Sequence, residues 1–276
     1  MRTATCTRGF AMSWMLAAAV LVCAAVALPA AQAPAVENFE RTVPLQPGGS
    51  FSLSNVNGSI EIEGWDRDEV YISARKYSTR AAEDLGQVDI SVLSSAGSVA
   101  VATRYPEGSG VEVNVEFHVR VPARVLLASV TTVNGSVAVH DVSGAGSLAA
   151  VNGSVMLARS AGMFSAHATN GNVSLELLSL DGALAQAGAS DRAAARRGIS
   201  AQTVNGQVTV ALPADAGAEL EARTQNGDFV SDLPLLARSS AAAGRVIRGR
   251  VGSGGLPVYL RTVNGSIRLR ITRPLV

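Results

Sequence analysis

Thr131–Val139 reads TTVNGSVAV, and its Asn-Gly pair recurs seven times along the chain, at Asn57-Gly58, Asn134-Gly135, Asn152-Gly153, Asn170-Gly171, Asn205-Gly206, Asn226-Gly227 and Asn264-Gly265. With 11 Asn and 27 Gly in 276 residues, chance would supply about one such pair. Val precedes the Asn in five cases, Val56, Val133, Val151, Val204 and Val263. Three and five residues after each Asn stand Ile60/Ile62, Val137/Val139, Val155/Leu157, Val173/Leu175, Val208/Val210, Phe229/Ser231 and Ile267/Leu269. Apolar residues with period two, broken only at Ser231, describe a strand with one face buried. Asn and Gly both tolerate positive φ, which predicts a tight corner before each of these strands.

The spacings between successive pairs are 77, 18, 18, 35, 21 and 38. A step of 18–20 residues is a period of stacked repeats. On that period the longer gaps read as multiples, with worn units near Gly188, near Gly244 to Gly249, and at Ala96 to Val101. Asn-Gly between alternating strands also suits antiparallel hairpins, but a meander needs a turn about every 8–12 residues. The wider spacing favours an all-β fold, a single β-solenoid whose coils turn at Asn-Gly, where stacked Asn amides bond from coil to coil.

Two short segments carry weak helical signals: 78–87 (STRAAEDLGQ), with Thr79 as cap and Leu85 to pack, and Asp191 to Arg197. Val111 to Val121 alternates almost without fault and is long for a coil side, which predicts a strand capping the N-terminal end. The organisation expected is therefore N-terminal coils and cap over 38–125 and regular repeats over 126–276, together one domain spanning 38–276.

Residues 1–33 read as a secretory signal, with Arg2 and Arg8 before an apolar run from Met12 to Leu28 and Ala-x-Ala cleavage options within 30–35. That run is short for a membrane span, which needs about 20 residues. Both cysteines, Cys6 and Cys23, lie in the leader, so the mature chain is expected to hold no disulfide and no thiolate site. Cleavage leaves 21 basic against 22 acidic residues, a balance unlike that of a nucleic-acid binder. No later segment is long and apolar enough to be an integral membrane helix, so the mature product is expected outside the cytoplasm: periplasmic, on the cell surface or secreted.

Three stretches, Leu53 to Val70 (LSNVNGSIEIEGWDRDEV), Thr131 to Val139, and Gly249 to Leu269 (GRVGSGGLPVYLRTVNGSIRL), resemble in content and order a large bacterial family of exported domains of uncharacterised function, the putative adhesins. The likeness runs from about residue 38 to 276. It implies a β-solenoid and an association with the cell envelope, and some members of the family neighbour envelope-stress systems. The family brings no catalytic motif.

Chemistry is sparse. The three histidines, His118, His140 and His167, have no metal-ligand spacing, no nucleophile elbow is present, and Gly252 to Gly255 leads into a strand with no Lys following. No cofactor is expected. Glu61 and Glu63, beside Asp66 and Asp68, would share a strand face about 7 Å apart, a separation used by inverting glycosidases. The equivalent positions in the other repeats are not acidic, which favours a solvated strand over a catalytic pair. Among the aromatics, Trp65, Tyr77, Tyr105 and Tyr259 are candidates for stacking on a sugar face, with Trp65 better explained as a cap or core side chain at the end of its strand. Arg268 and Arg270 share a strand face in a basic C-terminal third and are candidates for anionic ligands. Trp65, Arg268 and Arg270 are thus the candidate ligand contacts. The function expected is a non-catalytic scaffold that binds an envelope glycan or a protein partner. The alternatives are a polysaccharide hydrolase or lyase, and an accessory protein of an envelope-stress response.

Overall fold

The structure, a computed structural model, describes residues 35–78, 82–106, 108, 110–180, 198–240 and 245–272. The leader, Thr79, the Gly188 unit and the segment from Asp191 to Arg197 lie outside the described residues. Within them the chain is all-β, with twenty strands hydrogen-bonded into one sheet around a single core. The first nine are β1 (Ala35–Pro44), β2 (Ser50–Ser54), β3 (Ile60–Trp65), β4 (Glu69–Ser78), β5 (Asp89–Ser95), β6 (Ser98–Arg104), β7 (Val113–Pro122), β8 (Arg124–Asn134) and β9 (Val137–His140). There follow β10 (Ser143–Asn152), β11 (Val155–Asn170), β12 (Val173–Ser179), β13 (Ile199–Asn205) and β14 (Val208–Leu212). The last six are β15 (Ala218–Asn226), β16 (Phe229–Ser231), β17 (Leu235–Ser240), β18 (Arg245–Val251), β19 (Leu256–Asn264) and β20 (Ile267–Ile271).

The strands form two parallel ladders that meet at the Asn-Gly pairs. Strands entering a pair stack in the order β2, β8, β10, the second half of β11, β13, β19, β15, with β6 lying on the outer edge of β2. Those leaving stack as β3, β9, the first half of β11, β12, β14, β20, β16, with β7 lying on the outer edge of β3. Register places like on like: Ile60, Val137, Val155, Val173, Val208 and Ile267 form one column and are each at most 1% exposed. Burial of each such side chain contributes about 1.5–3 kcal/mol, and the column repeats it on every level.

Antiparallel strands cover both ladders at one end and the ladder of β15 at the other. β5 lies on β6, β4 on β7 and β1 on β4 at one end; β18 lies on β15 and β17 on β18 at the other. The expected cap, Val111 to Val121, corresponds to β7, which sits two strands inside the edge, beneath β4 and β1. Lys76 helps to fix this end. Buried to 6% exposure, its ammonium donates to the carbonyls of Leu85 (3.1 Å) and Val88 (3.2 Å) and pairs with Glu37 (2.8 Å). It thereby pins the 3-10 helix Ala82–Gln87, which stands where the sequence predicts a helical turn and packs Leu85 into the core.

The long gaps between Asn-Gly pairs are not hidden levels of the Asn column. Asn57 bridges directly to Asn134, Asn170 pairs with Asn205, and Asn226 with Asn264. The chain leaves the ladder and returns to the adjoining level, so a gap near a multiple of 18 counts an excursion rather than worn coils. The Gly244–Gly249 segment belongs to such an excursion, its described part lying in antiparallel β18. Ala96 to Val101 differs: β6 does stack in parallel on β2, but without an Asn-Gly turn.

The corner also differs from expectation in its backbone. Among the described residues none of the Asn has positive φ; the two non-glycine residues that do are Asp141 (58°) and Arg159 (47°). The glycines of five pairs do, from 119° at Gly58 to 159° at Gly135 and Gly227, and glycine is required for a second reason as well. A Cβ on Gly153 would lie 1.9 Å from the carbonyl oxygen of Gly135, and one on Gly171 would lie 2.1 Å from that of Gly153. The same close approach recurs at Gly135, Gly206, Gly227 and Gly265, so the seven glycines form a column of bare backbone.

Beside that column runs an amide ladder. Asn134 Nδ2 donates to Asn57 Oδ1 (2.8 Å), Asn152 to Asn134 (2.8 Å), Asn170 to Asn152 (2.9 Å), Asn205 to Asn170 (2.8 Å), Asn264 to Asn205 (2.8 Å) and Asn226 to Asn264 (2.8 Å). Each interior amide both gives and receives, an arrangement in which neighbouring bonds polarise one another. Two residues before the Asn, the hydroxyls of Thr132, Thr203, Thr224 and Thr262 donate inward to the carbonyls of Gly58, Gly171, Gly265 and Gly206, at 2.8–3.0 Å. All four threonines are at most 3% exposed, and these bonds satisfy them where water does not reach.

At the opposite end of the leaving strands, Asp141 and Arg159 stack as a left-handed bend on successive levels, joined by a two-pronged ion pair through Nε (2.9 Å) and the terminal nitrogen. The Arg159 hydrogen bond holds the Asp141 carboxyl below the usual carboxylate range. A depressed folded-state pKa stabilises above the unfolded value and is lost as pH falls through the folded one. The Asp141→Asn protein should therefore lose less stability than the parent between about pH 5 and pH 2, measured by urea unfolding at each pH. Because both side chains are substantially exposed, the difference is expected to be small and to shrink in high salt.

Candidate functional site

Because the ladders are in register, outward side chains also stand in rows, one per strand spacing of about 4.8 Å. Five residues before the Asn the row reads Ser52, Ser129, Ser147, Ser165, Ser200, Tyr259 and Glu221 in stack order. A bulge interrupts it. β8 carries an extra residue against both β2 and β10, which places Ala128 outside the paired register. On the adjoining strand Gly146 presents bare backbone, since a Cβ there would meet Leu127 at 2.9 Å and the Phe164 ring at 3.0 Å.

The outcome is a groove of about 370 Å³. Leu126 and the buried Met163 line its apolar part, and Ser147, Ser165, Ser200, Gln202 and Tyr259 supply polar atoms and an aromatic face. Gln202 donates to Ser200 Oγ at 3.0 Å, whereas the hydroxyls of Ser147 and Ser165 have no protein partner among the described residues. Tyr259 is 46% exposed. No charged side chain lines the groove.

Trp65 lies elsewhere, at the end of β3, in a recess of about 450 Å³ with Pro47, Asp66, Arg67, Asp68 and Arg124. Its indole nitrogen donates to Glu69 O at 2.8 Å, and the guanidinium groups of Arg67 and Arg120 approach its ring at 5.0 and 6.0 Å. The ring is thus engaged by its own protein and pins the β3–β4 turn. Tyr77 and Tyr105 are also held, Tyr77 by Glu116 (3.3 Å) and Tyr105 by the carbonyl of Val113 (2.9 Å). Burial raises the Tyr105 pKa above the usual phenol value.

Arg268 and Arg270 do share the outward face of β20. Arg268 stands between Thr209 and Val230, and Arg270 reaches Asp232 at 3.9 Å. Five strand spacings, about 24 Å, separate them from β3, so the three candidate contacts do not form one site. The acidic pair is likewise occupied. Glu61 pairs with His118 at 2.9 Å and Glu63 with Arg120 at 3.1 Å, all four side chains being more than half exposed. Among the described residues no three His, Cys, Asp or Glu are grouped as a metal site would need, and no helix is long and apolar enough to cross a membrane.

The sequence sets Tyr259 beside three other aromatics without distinguishing it. The serines that flank it escape notice because attention to the residues after Asn-Gly leaves the preceding strand unread. Aligned on Asn, five of the seven repeats carry Ser at the same position, a signal available from sequence alone.

An all-β chain of stacked parallel strands, with its polar rows on the outside, is the class these features define. No protein-family model matches the chain, and no curated protein matches it in sequence. In three dimensions it is similar to a putative cell adhesion protein from Clostridium sporogenes, at 11% identity and TM-score 0.37, over 85% of this chain and 99% of that one. It is also similar to a putative adhesin from Bacteroides fragilis, at 9% identity and TM-score 0.38, over 84% of this chain and 97% of that one. A putative lipid binding protein from Parabacteroides distasonis matches at 9% identity and TM-score 0.26, over 84% and 96%.

Proposed function

We propose that the chain is an exported β-solenoid of the putative-adhesin type, a non-catalytic scaffold that offers its outer face to a cell-envelope polymer or a protein partner. One observation carries this reading: seven Asn-Gly levels in a single register, which set outward side chains in straight rows at one strand spacing. A surface repeated every 4.8 Å or so suits a ligand that is itself repetitive or elongated. The contacts of Glu61 with His118 and of Glu63 with Arg120, on side chains more than half exposed, favour a solvated strand face, and with it binding, over a hydrolytic centre.

The test is co-sedimentation of the purified protein with isolated envelope glycans, with the supernatant examined for new sugar fragments. Saturable retention without fragments is the expected result. New fragments that disappear in Glu61→Gln or Glu63→Gln would replace the scaffold by a polysaccharide hydrolase or lyase. Absence of both retention and fragments would move the reading to an accessory protein with a protein partner, to be sought by crosslinking in intact cells.

A further inference from the structure

The groove beside Tyr259 differs from the rest of the outer surface in three ways that bear on one ligand chemistry. It has a side chain with a free aromatic face, Tyr259 being 46% exposed, whereas Trp65, Tyr77 and Tyr105 are each engaged by neighbouring protein groups. It has hydroxyls at regular intervals on one line, Ser147 against Ser165, Ser165 against Ser200, and Ser200 against Tyr259. And no Asp, Glu, Lys or Arg lines it, in a protein whose other strand faces are laced with ion pairs.

We propose that this groove binds a neutral saccharide chain laid along the stack axis, one sugar face on the Tyr259 ring and successive hydroxyls on Ser200, Ser165 and Ser147. The inference rests on the scaffold reading above and deepens it by naming the ligand class. The apolar face of a pyranose stacks on an aromatic ring, and its equatorial hydroxyls both donate and accept, as serine hydroxyls and the Gln202 amide do. From Ser147 to Tyr259 the row spans three strand spacings, about 14 Å, enough for two to three sugar units. Serine suits this role because its hydroxyl rotates to the partner, and the vacant hydroxyls of Ser147 and Ser165 lose no protein hydrogen bond when a ligand arrives. An anionic ligand gains no countercharge from this lining, and a lipid chain would leave the serine row unpaired.

Calorimetric titration of the full purified chain with neutral hexasaccharides of β-linked glucose, N-acetylglucosamine or galactose, and with polygalacturonate as the charged control, tests the proposal. At least one neutral chain is expected to bind, and the polygalacturonate is not. Tyr259→Ala should weaken that binding about tenfold and Ser165→Val several-fold, with melting temperature unchanged, whereas Trp65→Ala should retain parental affinity. If a neutral chain binds and Tyr259→Ala binds it equally well, the groove assignment is wrong and the scaffold reading stands. If no hexasaccharide binds while envelope glycans still retain the protein, the groove assignment again fails alone. If neither binds, the groove assignment falls, and the glycan half of the scaffold reading falls with it, which leaves the protein partner.

Discussion

The Gly153→Ala protein is expected to be destabilised by about 4 kcal/mol or more, the range reached only when something in the core or backbone cannot relax. Alanine is ordinarily a mild replacement for glycine and stabilises where the backbone accepts it. Here the methyl group would stand 1.9 Å from the Gly135 carbonyl oxygen, and that oxygen belongs to backbone held on both sides by the ladder. Neither level can retreat without lengthening the Gly153 N–H to Asn170 O bond (3.0 Å) or the Gly135 N–H to Asn152 O bond (3.1 Å). Urea unfolding followed by circular dichroism measures the loss. The comparison that isolates the mechanism is Gly97→Ala, in the β5–β6 turn, where a Cβ would meet nothing within 4 Å. Its φ of 81° costs something, but only the local strain of a left-handed alanine, about 1–2 kcal/mol. Equal losses at the two sites would mean that close stacking does not explain the glycine column.

Asn55→Ala is the second large effect, expected at about 3 kcal/mol. Asn55 is 2% exposed and closes the Asn57 turn from the inside. Its amide nitrogen donates to Val115 O (2.8 Å), with Gly58 O (3.1 Å) and Asn57 O (3.2 Å) also within reach, and its oxygen accepts from the Thr103 hydroxyl (3.0 Å). Truncation strips a donor from buried carbonyls and leaves the Thr103 hydroxyl only the Ser54 carbonyl at 3.5 Å, so the cost is that of weakly paired buried polar groups rather than of one bond. The double variant Asn55→Ala/Thr103→Val should be less unstable than the sum of the two single variants, because the second change removes a hydroxyl whose shorter hydrogen bond the first has already taken away. Strict additivity would show that the two side chains do not act as a unit.

Legibility followed the range of the interaction. The strands after Asn-Gly could be read because alternation is local: Val137, Val155 and Val173 declare their inward face within five residues. Parity likewise placed Arg268 and Arg270 on one face, though not the contact of Arg270 with Asp232, which comes from the neighbouring level. The order of the levels was out of reach. Nothing local tells Asn264 to lie between Asn205 and Asn226, or Asn57 to lie against Asn134; those pairings are settled by which edges remain open once loops of very different length have closed. Glycine was ambiguous in a different way, since a left-handed turn and a sub-van der Waals approach both demand it and leave the same letter. The serine row was legible but lay in the strands before the turn, where the apolar signal is weaker.

The order of levels has a consequence for how the protein can be made. Strands β2 and β3 are early in the chain, yet they lie between partners that follow them, β6 and β7 on one side and β8 and β9 on the other. At the far end β19 and β20, made late, lie between β13 and β14 and the earlier β15 and β16. A simple stack can add levels at its tip as each leaves the ribosome. This one cannot: the first level waits for residue 122 before one edge is covered and for residue 140 before the other is, and β15 and β16 wait for residues 256–271 before they have a parallel neighbour. Folding of the complete chain from its unfolded state suits such an order, because its waiting edges then meet their partners with the whole sequence present.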